Sequence, residues 1–77
     1  MIIKNKLTRE TLNISYSEFR TKFAREINVA FEGYRKTQLN KYSYKFKDDN
    51  SMEFNFYFDL QWNFNHFGMS NWYIERM

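Results

Sequence analysis

The chain has no cysteine, no proline, two glycines and a single histidine among its 77 residues. Without cysteine there are no disulfides and no thiolate metal sites, which favours a cytosolic protein over a secreted scaffold. Two glycines cannot furnish a Gly-rich phosphate-cradling loop. One histidine with no cysteine leaves little for nucleophilic or acid–base catalysis. No apolar run is long enough to span a bilayer, and Met1-Ile2-Ile3 gives way at once to Lys4-Asn5-Lys6, so neither membrane insertion nor an export signal is expected.

What the chain does have is aromatic. Nine Phe, six Tyr and two Trp accompany a formal net charge of +3. A chain this short supports one modest core, so a single domain over residues 1–77 is expected. Aromatic side chains, each able to bury about 150–250 Å², must then do the work that disulfides or metals do in other small domains.

Ser15-Tyr16-Ser17-Glu18 has the form of a capping box, with the Ser15 hydroxyl accepting from the Glu18 amide and the Glu18 carboxylate reaching the Ser15 amide. Ile14 and Phe19 fall at the positions of a hydrophobic staple. Tyr16, Phe19, Phe23, Ile27, Ala30, Phe31 and Tyr34 then recur at steps of three and four, predicting a helix over about 16–36 with this stripe toward the core. Gly33 either ends the helix at Glu32 or is tolerated within it.

From Met52 to Phe64 apolar residues alternate without error: Met52, Phe54, Phe56, Phe58, Leu60, Trp62 and Phe64 against Glu53, Asn55, Tyr57, Asp59, Gln61 and Asn63. This is the period of a half-buried strand. Such a strand would reach about 43 Å, beyond the ~30 Å diameter of a globule of this size, so it must bulge, bend or extend to a partner. Tyr42, Tyr44 and Phe46 alternate with Lys41, Ser43, Lys45 and Lys47, predicting a preceding strand over about 41–47. A three-residue loop, Asp48-Asp49-Asn50 with Asn50 left-handed, sets Phe46 against Met52, Tyr44 against Phe54, Tyr42 against Phe56 and Lys45 against Glu53. A turn over residues 65–70, with Gly68 at positive φ, leads to a last strand over about 71–76. Ile2, Ile3, Leu12 and Ile14 offer material for a further strand. The expected architecture is α+β: one amphipathic helix packed on an antiparallel β-meander of three strands, or four.

Chemistry is sparse. His66 is expected in a turn, where an exposed structural role competes with a general base in a small ribonuclease, with Arg76 or lysines stabilising phosphate charge and Tyr73 or Asp59 nearby. Asp48, Asp49 and Asp59 lack ligand spacing, and the Asp pair suits a turn. No catalytic set, metal or cofactor is expected. Lys41, Lys45 and Lys47 interleave with aromatics as in single-strand binders, but the register sets the rings and the lysines on opposite faces. The other face of the long strand, with Asn55, Tyr57, Gln61 and Asn63, suits protein contact. Tyr73 and Arg76 join it if the last strand pairs there, and an ordinary solvated surface is the alternative. The excess strand length suggests pairing with a target or with a second copy in a homodimer.

The residues spell no family motif. The profile as a whole resembles the small accessory proteins of phages and mobile elements, among them anti-restriction and anti-CRISPR inhibitors. A bias toward Asn, Lys, Ile, Phe and Tyr suits an AT-rich genome, such as that of a low-GC bacterium or its phage. The resemblance implies a non-enzymatic protein of the host cytoplasm. It would act sterically on a macromolecular target, such as a defence nuclease or its nucleic-acid complex, and its positive charge disfavours DNA mimicry. A small basic nucleic-acid-binding regulator is the alternative, and a toxin-like ribonuclease the minor one.

Overall fold

A computed structural model describes residues 1–42 and 49–77. The element order is β1 (Ile2–Asn5), β2 (Thr11–Asn13), α1 (Tyr16–Lys22), α2 (Ala24–Tyr42), α3 (Asp49–Phe58), α4 (Leu60–Phe67) and β3 (Trp72–Arg76). The fold is therefore α+β, but with four helices over a three-stranded sheet among the described residues, which overturns the expected single helix on a meander.

Ser15 caps α1 as its side chain dictates, its Oγ accepting from the Glu18 N–H at 3.1 Å. Glu18 closes the box through the Ser15 hydroxyl, which donates to its carboxylate at 3.2 Å, rather than through the Ser15 amide. The expected helix over about 16–36 is divided at Phe23 (φ −108°, ψ 27°), although the hydrogen-bond ladder runs through the bend, from Phe23 N–H to the Phe19 carbonyl and from Ile27 N–H to that of Phe23. Gly33 lies inside α2, which continues to Tyr42. The strand expected over 41–47 fails at its start, because Lys41 and Tyr42 are helical; Tyr44, Lys45, Phe46, Lys47 and Asp48 lie outside the described residues.

The strand expected over 52–64 is instead α3 and α4. The physical reason lies in the arithmetic of the pattern. An alternating run contains two rows at steps of four, and a helix returns to nearly the same face every four residues. Met52, Phe56, Leu60 and Phe64 form one row and all four are buried. Phe54, Phe58 and Trp62 form the other, about 200° around the helix, and all three are exposed. Helical rise also removes the length problem, since thirteen residues at ~1.5 Å each cover about 20 Å, within a molecule measuring 40 × 22 × 18 Å. Asn50 is helical rather than left-handed in a loop, and the cross-strand pairs assigned to Met52, Phe54 and Phe56 do not form.

The run does break at Asp59, between α3 and α4. There the Asn63 side chain, buried, donates to the Phe56 carbonyl at 2.9 Å and satisfies an acceptor that the interrupted ladder leaves free.

The sheet is assembled from the chain ends, in the order β2-β1-β3, both pairs antiparallel. The last strand thus pairs with β1, not with the 52–64 segment. Its free edge is covered by α4, where Gln61 Nε2 donates to the Glu75 carbonyl at 2.9 Å and Asn65 engages Ile74. Such cover removes an edge on which another chain could pair. The core joins Ile3 and Ile74 of the sheet to Phe19, Phe23, Ile27, Ala30 and Tyr34 of the first helices and to the inner row of α3 and α4. Edge-on ring contacts knit it, with Phe19 and Phe64 centroids 5.2 Å apart and Phe31 and Phe56 at 5.4 Å.

Candidate functional site

Once α3 and α4 are helices, their outward row becomes the main unexplained surface. Phe54, Phe58 and Trp62 are 68%, 82% and 55% exposed. At about 200 Å² per side chain they present about 400 Å² of ring surface, the size of the largest apolar patch on an ordinary monomer and often a functional one. His66 extends the row by another step of four, stacked on Trp62 with centroids 4.3 Å apart and planes 14° from parallel. Phe67 meets Trp62 edge-on at 6.0 Å and itself packs on Tyr34, so the indole is held from two sides. Phe54 and Phe58 lie 6.2 Å apart. A shallow groove beside the row is lined by Asp59, Gln61, Trp62, Asn65 and His66. Two of its amides, Gln61 and Asn65, are committed to the β3 backbone, which leaves Asp59, His66 and the indole to face a ligand.

Charge is segregated along the chain. Residues 49–75 carry Asp49, Glu53, Asp59 and Glu75 and no Lys or Arg, whereas residues 1–42 carry nine Lys and Arg against four Glu. The aromatic row is therefore set in an acidic segment of a basic protein. Arg35 of α2 reaches across to Asp49 at 3.0 Å.

The residues assigned to partner contact from sequence are scattered by this fold. Tyr57 is half-buried and engaged: the Arg20 guanidinium of α1 lies 4.6 Å from its ring centroid and donates to its hydroxyl at 3.4 Å. Burial pushes its phenol above the ordinary value, with Arg20 pulling the other way. Asn55 is exposed on α3, its amide donating back to the Ser51 carbonyl at 2.7 Å. Gln61 serves the β3 edge. Tyr73 belongs to the sheet, beside Lys6, and Arg76 is exposed at the end of β3. Lys41 is exposed near the end of α2, and Lys45 and Lys47 lie outside the described residues. His66 shares the groove with Asp59, but Tyr73 and Arg76 are not among its lining residues, so the constellation weighed for a ribonuclease is not assembled. Among the described residues, no group of three or more His, Cys, Asp and Glu is placed to hold a metal ion, and no helix is long and apolar enough to cross a membrane.

The alternating pattern places Phe54, Phe58 and Trp62 on the core face, whereas all three are exposed. The signal for their exposure was present in the same residues, as a second row at steps of four and as a run of acidic charge without a cation. No protein-family model, curated protein or solved structure matches the chain.

Proposed function

We propose that the protein is a non-enzymatic binding protein that acts sterically on a macromolecular target, docking through the aromatic row of α3 and α4. The observation that carries this reading is the exposure of Phe54, Phe58 and Trp62 in one line, flanked by acidic residues and by no Lys or Arg of their own segment. Interfaces draw their energy from a few large anchors, Trp among the most frequent. An anchor already held by its neighbours loses less entropy on binding, and Trp62 is such a side chain, clamped by His66 and Phe67. The row's own segment carries Glu53 and Asp59 without a cation, so the partner for this face is a protein surface bearing apolar pockets with Lys or Arg nearby. An inhibitor of the anti-restriction or anti-CRISPR kind, working in the host cytoplasm on a basic nucleic-acid-handling protein, is the concrete form of this proposal.

With residues 52–64 folded as α3 and α4, no over-long strand is left there to pair with a second copy of the chain.

The test is affinity capture from a low-GC host with the wild-type protein and with Phe58→Ala/Trp62→Ala, followed by titration of the purified partner. A drop in affinity of about a hundredfold or more, with unchanged circular dichroism, is expected. A partner that binds the double variant as tightly as the wild type would refute the assignment of the row.

A further inference from the structure

We infer that the open face of the sheet binds single-stranded nucleic acid, with Lys6 and Arg9 holding phosphates and Tyr73 stacking against one base. The inference is independent of the docking row and shares no residue with it.

Ile3 and Ile74 point into the core. Side chains alternate along a strand, so their neighbours point away from the helices. The register sets Thr11, Lys4 and Tyr73 side by side in one row across all three strands. A concavity on this face is lined by Lys4, Asn5, Lys6, Arg9, Thr11 and Tyr73, with no helix residue among them. Lys6 Nζ stands over the Tyr73 ring, 5.7 Å from its centroid, and has to swing off that face for a base to stack there. Cations and a ring thus share one platform, the combination that single-strand binders use.

The loop carrying two of the cations is ordered by its own hydrogen bonds. Asn5 Oδ1 accepts from the N–H groups of Leu7 and Thr8 at 2.8 and 2.9 Å. Asn5 N–H donates to the Glu10 carbonyl, Arg9 N–H to the Asn5 carbonyl and Lys6 N–H to the Asn71 carbonyl. Arg9 adopts φ 64°, and it is the only residue other than glycine at positive φ among the described residues. Gly or Asn would take that backbone more easily, yet the position holds a long, exposed cation. An outlier of this kind, occupied by a long cation, points to use of the side chain.

Of the two local acids, one is paired with a cation and the other is held by a hydroxyl. Glu75 pairs with Lys4 at 2.8 Å, and the Thr8 hydroxyl donates to the Glu10 carboxylate at 3.2 Å. Among the described residues neither Lys6 nor Arg9 has an ion-pair partner. An acidic peptide would satisfy the two cations but would leave the ring unused, whereas a nucleotide supplies both an anion and a flat face.

The experiment is fluorescence polarisation of a labelled 20-nucleotide oligo-dT across a salt series, with circular dichroism on each variant. The wild type should bind in the micromolar range at low salt, with log affinity falling against log salt at a slope of about −1.4 to −2.1 for two to three phosphate contacts. Lys6→Ala/Arg9→Ala should weaken binding by about tenfold or more and bring the slope closer to zero than −1. Lys22→Ala/Lys36→Ala removes the same charge from the helices and should leave affinity within about twofold. Tyr73→Leu should weaken binding about fivefold or more at an unchanged slope, as loss of stacking rather than of charge. Three results would overturn the inference: no oligonucleotide binding at low salt, equal losses from the two charge-matched double variants, or binding only to phosphatidylserine vesicles. If Tyr73→Leu fails to fold, the comparison of the two double variants decides alone.

Discussion

The side-chain amide of Asn65 pairs with both backbone groups of Ile74, accepting from its N–H at 2.7 Å and donating to its carbonyl at 2.8 Å. An amide on a helix thereby does what the next strand would do, and β3 ends the sheet without exposing that pair. Asn65→Ala should cost about 1–3 kcal/mol, since the Ile74 N–H loses its partner in a partly buried setting and the Ile74 carbonyl keeps only the long contact from Gln61 Nε2, at 3.4 Å. Asn65→Asp keeps the acceptor but sets an oxygen against the Ile74 carbonyl, and should recover only part of the loss. Urea melts give the energies, and hydrogen exchange at the Ile74 amide should quicken in both variants. An unchanged exchange rate in Asn65→Ala would show that the contact does not protect the edge.

The two rows of α3 and α4 make opposite demands on stability. Phe56→Ala and Phe64→Ala each remove a ring from the interior and should cost about 3–5 kcal/mol. Phe58→Ala, at a mostly exposed position, should stay within about 0.5 kcal/mol of the wild type. On a half-buried strand all three would share one face and behave alike. Comparable losses at Phe56 and Phe58 would restore the strand and remove the exposed row.

The two glycines should also respond in opposite directions. A Cβ on Gly33 would lie 3.5 Å from Phe67, an ordinary contact, so Gly33→Ala should be neutral or stabilise α2 by up to about 1 kcal/mol. A Cβ on Gly68 would lie 2.5 Å from the Phe64 carbonyl oxygen, so Gly68→Ala should destabilise by about 1–3 kcal/mol. Positive φ plays no part: Gly68 has φ −71°, and the expected left-handed turn is replaced by a close approach to the end of α4. Thermal melts that rank the two variants the other way would contradict the packing at both sites.

Alkaline pH should weaken the fold through its buried phenols. Burial raises the values of Tyr34 and Tyr57 above the ordinary 10.0. The folded state then holds these protons more tightly than the unfolded chain does. Their contribution is intact below pH 10 and is lost as pH climbs through the raised values. Tyr57→Phe should flatten part of this decline, with Tyr34 supplying the rest. Absorbance near 295 nm, followed with stability between about pH 9 and 12, separates the two tyrosines from those that ionise normally.

Local rules carried the sequence reading as far as local physics reaches. Ser15 and Glu18 form a cap with partners three residues apart. The stripe from Phe19 to Tyr34 faces the core because steps of three and four have one meaning on a helix, although Tyr16, expected as its first member, is exposed. The short strand near Trp72 and Ile74 was legible in the same way.

Alternation from Met52 to Phe64 satisfies a strand on one face and a helix on two, so local pattern could not choose between them. Tertiary packing chose. The sheet closes with strands from both chain ends, and α2 then needs a second helical layer to cover it; Met52, Phe56, Leu60 and Phe64 supply that layer. The same choice put Phe54, Phe58 and Trp62 on the surface and committed Tyr57 to Arg20. It also gathered Lys4, Lys6 and Arg9 around Tyr73, more than sixty residues away along the chain. Sequence determined which side chains were available and which short elements they favour. Which face each one occupies depended on contacts between segments far apart in the chain, and those exist only in the folded molecule.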